Sequence, residues 1–222
     1  MEACVDEVLD VDQLVDALIE REGGFVSNPA DKGGPTCFGI TEAVARAHGY
    51  AGPMRLLPRE EAATIYKRLY WHRPRFDEIA KRSWRMAAEL FDTGVNMGPA
   101  VAVTFLQRAL TALNRNGSDY PDLVPDGRIG PQTLAALDAF LSVRGASPAV
   151  GLAGGDQQRT GGNTVLLRAL EALQGERYLR LAERRPANEA FLYGWLANRC
   201  GKADEVEEVE DPRFSLTPKV TR

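Results

Sequence analysis

Two carboxylates and a threonine lie close together in a glycine-rich segment near the start of the chain. Glu22 directly precedes Gly23 and Gly24, Asp31 follows nine residues after Glu22, and Thr36 comes five residues later. Breaking a glycosidic bond needs an acid that protonates the leaving oxygen and a carboxylate that activates water or stabilises positive charge. The segment therefore favours acid–base chemistry on a sugar, with Thr36 orienting the attacking water.

Glu22 extends the apolar face of the first predicted helix. Leu14, Leu18 and Glu22 are four residues apart, so the carboxylate is expected to lie on the leucine side and partly out of water. Partial burial and the C-terminal end of a helix dipole both disfavour the anion, so the group is expected to hold its proton. The alternative is a solvated residue in a fraying last turn, paired with Arg21 or Lys32.

The other two residues of the segment have simpler alternatives. Asp31 stands among turn-forming residues, where aspartate commonly closes a local side-chain turn. Thr36 is equally compatible with an ordinary turn position, and Thr41 is expected to cap the helix that follows it.

Almost every periodic segment of the chain predicts a helix, and strand signals are weak. At most a small β-hairpin is expected, around residues 24–40. The sequence therefore predicts a mainly α protein. Helices are expected at 11–22, from Pro58 through Tyr70, and at 84–91, 99–113, 131–141, 165–184 and 189–197.

Bulk composition excludes several classes of protein. The net charge of -4 lacks the basic excess of nucleic-acid-binding proteins. The three cysteines form no disulfide framework and favour synthesis in a reducing compartment. The acidic first residues do not resemble a signal peptide, and no apolar run approaches the roughly 20 residues of a membrane span. We expect a protein made in the cytoplasm, without a membrane-spanning segment.

The glycine-rich segment resembles the opening of the glycoside hydrolase family 108 N-acetylmuramidases, lysozyme-like enzymes common among phage endolysins. The resemblance rests on Glu-Gly-Gly-Phe at 22–25, on Asp31 followed by Gly-Gly-Pro-Thr at 33–36, and on Gly-Ile-Thr at 39–41. The spacing from Glu22 to Thr36 is also similar to the Glu–Asp–Thr triad of T4-type phage lysozymes, with one residue fewer before the threonine. Cys37-Phe38 departs from the family pattern, in which Asn or Thr is often followed by Trp or Tyr.

Later segments continue the resemblance, at Leu69-Tyr70-Trp71 and from Phe91 to Pro99. The second half is similar to the family's usual partner, a predicted peptidoglycan-binding domain. The resemblance implies a lysozyme-like muramidase domain at 1–97 and a helical peptidoglycan-binding module at 98–201. We expect a flexible glycine-rich insertion at 145–164 and an acidic tail at 202–222. The module's resemblance rests on Ala102 to Leu113, Asp126 to Thr133 and Phe191 to Arg199.

The resemblance also implies an activity, hydrolysis of the β-1,4 bond between N-acetylmuramic acid and N-acetylglucosamine. Glu22 would be the acid, with Asp31 and Thr36 completing the catalytic set and no metal or organic cofactor required. The partners would be peptidoglycan glycan strands, met by a monomer in the cell wall after release through a holin or another route. Two alternatives remain open: a lytic transglycosylase, and a non-catalytic wall-binding protein.

Three further residues are candidates for substrate binding. Asp92 and Asn96 are four residues apart on one predicted helix, so both can line the same cleft wall. Tyr70, with Trp71 beside it, offers a flat surface on which a sugar ring can stack. The alternatives are a capping and surface role for Asp92 and Asn96, and a core role for the two aromatic residues.

Overall fold

Helices account for most of the described residues, which are 10–27, 34–144 and 161–201 of the computed structural model. The predicted mainly α class is confirmed. The chain divides into two units, the first comprising Met1–Val103 and Gly127–Ile129 and the second Thr104–Asp126 and Gly130–Arg222. The helices of the first unit are α1 (Val11–Glu22), α2 (Glu42–Ala47), α3 (Arg59–Lys67), α4 (Phe76–Ala80), α5 (Trp84–Met97) and the start of α6 (Pro99–Ala112), with a 3-10 turn at Met54–Leu56 and a π-helix at Arg68–His72.

Helix α1 starts at a capping box and is held along its length by α3. The Asp10 side chain accepts a hydrogen bond from the backbone N–H of Asp12, and the backbone N–H of Asp10 donates to Gln13 Oε1. On the α3 side, Arg59 lies 2.9 Å from Asp16 and Lys67 lies 2.5 Å from Asp12. Each exposed pair stabilises by about 1 kcal/mol or less. Most of the free energy that holds α1 in place therefore comes from apolar burial, through Val15, Leu18 and Ile19.

The first core is centred on α4 and α5. Phe76 and Ile79 of α4 are completely buried, and Trp71 packs on Trp84 and Phe91 with ring centroids 5.3 and 6.1 Å apart. Helix α4 was not predicted from the sequence, because a five-residue helix is too short to show a period. The start of α4 also lacks a sequence signal, because the residue before it, Arg75, has a left-handed φ of 66° and makes no side-chain capping hydrogen bond.

A small antiparallel sheet follows α1. Its order is β1 (Phe25–Val26), β2 (Thr36–Cys37) and β3 (Ile40–Thr41), so the structure adds a third strand to the expected hairpin. The Thr41 hydroxyl accepts a hydrogen bond from the backbone N–H of Val44 at 3.3 Å, and the predicted cap of α2 is confirmed.

The second unit has its own core. Its helices are the remainder of α6 together with α7 (Pro131–Arg144), α8 (Gly162–Arg184) and α9 (Glu189–Arg199), with a 3-10 turn at Pro186–Asn188. The buried amide of Gln107 donates to Asp126 and to Thr133, which satisfies a polar group inside this core. Its apolar core includes Leu106, Leu110, Leu137, Phe140, Leu166, Leu170 and Tyr178.

The predicted loop at 145–164 is wrong at its end, because α8 begins at Gly162. A Cβ atom on Gly162 would lie 2.6 Å from the Arg144 Cβ atom, so this glycine permits close packing between α7 and α8. Residues 145–160 of the expected insertion and the acidic tail at 202–222 lie outside the described residues. In the described ranges, no helix combines the length and apolarity that crossing a membrane requires.

Candidate active site at the end of the first helix

Glu22 is the last residue of α1, as its sequence position predicts. The helix stops at Gly23, whose φ of 75° is left-handed and whose N–H donates to the Ile19 carbonyl. The expectation that Glu22 is partly buried is wrong, because the residue is exposed. The buried stripe ends one turn earlier, at Leu18 and Ile19, since the two glycines after Glu22 have no side chains to cover it.

A tight turn of the sheet lies against the Glu22 carboxylate. Strands β2 and β3 pair with Cys37 opposite Ile40, which leaves the two-residue loop Phe38–Gly39. Both loop residues have positive φ, 52° and 72°, as the common two-residue hairpin turn requires. A Cβ atom on Gly39 would lie 2.6 Å from Glu22 Oε2, so only glycine leaves room for the carboxylate here.

Tyr66 of α3 lies beside Gly39 and the Glu22 carboxylate, and the three residues form one cluster, although the sequence position of Tyr66 predicts only a place on a helix face. The same Cβ atom on Gly39 would lie 2.8 Å from the Tyr66 hydroxyl oxygen, on the side of the glycine that Glu22 also occupies. The hydroxyl donates to the Phe38 carbonyl oxygen at 2.8 Å. Burial is the main cause that raises the pKa of Tyr66, and the charges of Glu22 and Tyr70 act in the same direction. Tyr66 therefore keeps its proton and its hydrogen bond across the neutral range.

That hydrogen bond stabilises a strained turn. Phe38 is not a glycine, so its left-handed backbone costs about 1 kcal/mol or more, and a hydrogen bond to its carbonyl offsets part of that cost. Tyr66 thus connects α3 to the turn on which the Glu22 carboxylate rests.

We expect Tyr66→Phe to lower the free energy of unfolding by about 1 kcal/mol and kcat on purified cell walls about tenfold. The hydroxyl is lost and the turn is released from α3, so Glu22 becomes less well positioned. Tyr120→Phe is the matched control, because the Tyr120 hydroxyl donates to the Leu110 carbonyl at 2.7 Å in the other unit. Similar losses of kcat in both variants would contradict a specific role for Tyr66; thermal unfolding and initial rates measure the two quantities.

The remaining predicted catalytic residues have different outcomes. Thr36 is half-buried on β2, opposite Val26 on one side and Thr41 on the other. Its neighbour Cys37 is buried, so the alternation of a strand points Thr36 away from the core face. Asp31 lies outside the described residues, and its role stays a prediction.

Asp92 and Asn96 both lie on α5, and Asp92 is within reach of the end of α1. Its carboxylate is 3.8 Å from the guanidinium of Arg21, the residue before Glu22, and the Asp92 side chain is largely covered. Asn96 is exposed one turn further along the same helix. The structure therefore brings Asp92 close to α1, and Asn96 lies at the solvent-exposed surface.

The two aromatic candidates of the π-helix lie in different environments. Trp71 is buried in the first core, so it has the core role that was given as the alternative to sugar stacking. Tyr70 is half-buried, its ring lies 5.8 Å from that of Tyr66, and it lines a groove of about 350 Å³. We call this the Tyr70 groove; its lining residues are Leu69, Tyr70, Arg73, Pro74, Pro99, Ala100 and Gly127.

Cys37 does not offer a competing nucleophile. It is buried beneath the sheet, and burial raises the pKa of its thiol, which disfavours the reactive thiolate. Within the described ranges, no group of three histidine, cysteine or acidic side chains is arranged to hold a metal ion.

Comparison with known proteins gives two family matches. Residues 15–98 match the family described as glycosyl hydrolase 108, and residues 101–200 match the family described as predicted peptidoglycan domain. Among solved structures, the chain is similar to the structure of Brucella abortus SagA, with a TM-score of 0.52 and 22% sequence identity. The alignment covers 84% of this chain and 87% of that one, and at this identity it shows a shared fold. The comparison with curated proteins found no match.

Proposed function

Because residues 15–98 belong to the glycosyl hydrolase 108 family and residues 101–200 to the predicted peptidoglycan domain family, we propose that this peptidoglycan-directed glycoside hydrolase is an N-acetylmuramidase. It cleaves the β-1,4 bond between N-acetylmuramic acid and N-acetylglucosamine. The proposed catalytic domain is 1–97 and the proposed wall-binding module is 98–201.

The accessibility of Glu22 carries this proposal. Among the described residues, no atom lies within 4 Å of the position that a Cβ atom would take on Gly23 or Gly24, so a sugar chain can approach from that side. The other side of the carboxylate rests against Gly39 and Tyr66, which limits its movement.

The proposed reaction needs only side chains and water. Glu22 donates a proton to the glycosidic oxygen as the bond to the anomeric carbon breaks. Asp31 stabilises the positive charge that develops on the sugar or takes a proton from the attacking water, and Thr36 orients that water. The water oxygen bonds to the anomeric carbon as its proton passes to Asp31, or to the deprotonated Glu22 where Asp31 acts only as the stabilising anion, which restores the acid for the next turnover. The role of Asp31 is proposed from its position in the sequence motif.

Substrate binding is proposed for Tyr70, Asp92 and Asn96. Tyr70 offers a ring face beside the Tyr66–Glu22 cluster, and an aromatic face suits the apolar side of a pyranose. Asp92 and Asn96 supply hydrogen-bonding groups for hydroxyl and N-acetyl substituents. We propose that the protein acts as a monomeric endolysin that reaches the wall through a holin or another release route.

Product analysis tests the reaction. We expect purified sacculi treated with the protein to release fragments that end in a reducing N-acetylmuramic acid and carry the mass of one added water per bond cleaved. Mass spectrometry of the fragments before and after borohydride reduction measures this end. A 1,6-anhydro end would contradict hydrolysis and indicate a lytic transglycosylase, and binding without any cleavage would indicate a wall-binding protein.

A further inference from the structure

A basic groove of about 520 Å³ lies beside the Tyr70 groove in the first unit. It runs between the end of α2 and the π-helix, and none of the described residues that line it is acidic. The two grooves share Leu69 and Arg73, so they are neighbours on one surface. The lining residues of the basic groove are Ala47, His48, Arg68, Leu69, His72 and Arg73.

The π-helix is what brings the two arginines of this groove together. The backbone N–H of Arg73 donates to the Arg68 carbonyl at 3.0 Å, a hydrogen bond that spans five residues. In an α-helix, residues five apart point about 140° away from each other. The wider turn places Arg68 and Arg73 on the same side of the helix, and both residues line the same groove.

The charges of this groove are not balanced by carboxylates of the described residues. Within the described ranges, neither Arg68 nor Arg73 has a carboxylate at ion-pair distance, and both residues are exposed. Arg46 and Arg59 of the same unit lie 2.7 and 2.9 Å from a carboxylate oxygen. Asp77 lies 3.6 Å from the His72 ring. An uncompensated pair of cations in a chain of net charge -4 indicates a site for an anion.

We propose that the basic groove binds the free carboxylates of the peptides that peptidoglycan carries on its muramic acid residues, an inference that rests on the proposed function. The N-acetylated sugars of the glycan strand are neutral, so the anionic groups of this substrate are mainly those of its peptides. Arginine forms paired hydrogen bonds with a carboxylate. Arg73 also lines the Tyr70 groove, so a peptide bound in the basic groove can be attached to a sugar that is bound beside Tyr70.

The test uses the full chain and sacculi that contain no phosphate polymers. One portion is left native, and in the other the free carboxylates are converted to amides with a carbodiimide and ammonia. The variant Arg68→Gln/Arg73→Gln is compared with Arg59→Gln/Lys81→Gln, which removes the same charge at exposed positions of the first unit outside the groove. The readouts are the sacculus concentration that gives half-maximal release of reducing ends, and the fraction of protein that pellets with sacculi.

On native sacculi, we expect the groove variant to need about tenfold more substrate for half-maximal rate, with little change in the maximal rate. The wild type and the control should show the same tenfold increase on amidated sacculi, and the groove variant should not respond to amidation. A groove variant that follows the wild type on both substrates overturns the inference. If the wild type releases no reducing ends, the proposed function fails. The fraction of each variant that pellets with native and with amidated sacculi then still shows whether the basic groove binds peptide carboxylates.

Discussion

Glu22→Gln is expected to lower the release of reducing ends from purified sacculi by about 1,000-fold or more, with the fold intact. Glutamine has nearly the same size and shape, but it has no acidic proton to donate to the leaving oxygen. The residue is exposed at the end of α1, so the loss of its charge leaves no buried group without a partner. Turbidity clearing and reducing-end assays measure the rate, and thermal unfolding checks the fold.

The matched control is Glu20→Gln, the same change two residues earlier on α1. Glu20 is exposed and lies 3.7 Å from Arg59, away from the sheet turn. Its replacement is expected to leave the rate within about twofold, since a surface ion pair contributes 1 kcal/mol or less. A Glu22→Gln protein that clears sacculi as fast as the Glu20→Gln protein would refute the assignment of the acid.

Gly39→Ala is expected to cause the second largest loss, about 100-fold in kcat. A methyl group there would lie 2.6 Å from Glu22 Oε2 and 2.8 Å from the Tyr66 hydroxyl oxygen, closer than such atoms approach. The Glu22 carboxylate must move away, and a displacement of about 1 Å from a reacting position can cost about 100-fold in rate. Initial rates at saturating substrate measure the effect.

The variant Gly117→Ala shows how much of the effect of Gly39→Ala is due to backbone strain alone, without a contact to Glu22. Gly117 has a φ of 77°, close to the 72° of Gly39, and among the described residues no atom lies within 4 Å of the position of its Cβ. Both changes should cost about 1–2 kcal/mol of stability, because alanine is strained in this conformation. Only Gly39→Ala should lose activity. Equal activities for the two variants would mean that Gly39 does not limit the position of Glu22.

Several features of the site could be predicted from local sequence. Asp10 or Asp12 as a cap and the apolar spacing of Val15, Leu18 and Ile19 predict α1, and the glycines after Glu22 predict where the helix ends. These are short-range effects of capping, helical period and backbone freedom, so a single sequence reveals them. The burial of Glu22 was predicted wrongly, because burial depends on what packs against a helix and the helical period alone does not reveal it.

The turn beside Glu22 was much harder to predict. Two-residue hairpin turns favour Asn-Gly or Asp-Gly, and Phe38–Gly39 gives only half of that signal. Its stability depends on Tyr66, which is 28 residues away in the chain and donates to the Phe38 carbonyl. No sequence pattern identifies such a partner, because the packing of α3 on α1 determines which side chain reaches the turn.

The sequence by itself determined that this chain is mainly helical and that an acid stands at the end of its first helix before two glycines. Those features depend on the residues next to one another. Only the tertiary structure decided that Gly39 and Tyr66 flank that acid, and that Arg68 and Arg73 share one face of a π-helix. These arrangements depend on long-range packing and on a hydrogen-bond register that no local propensity specifies.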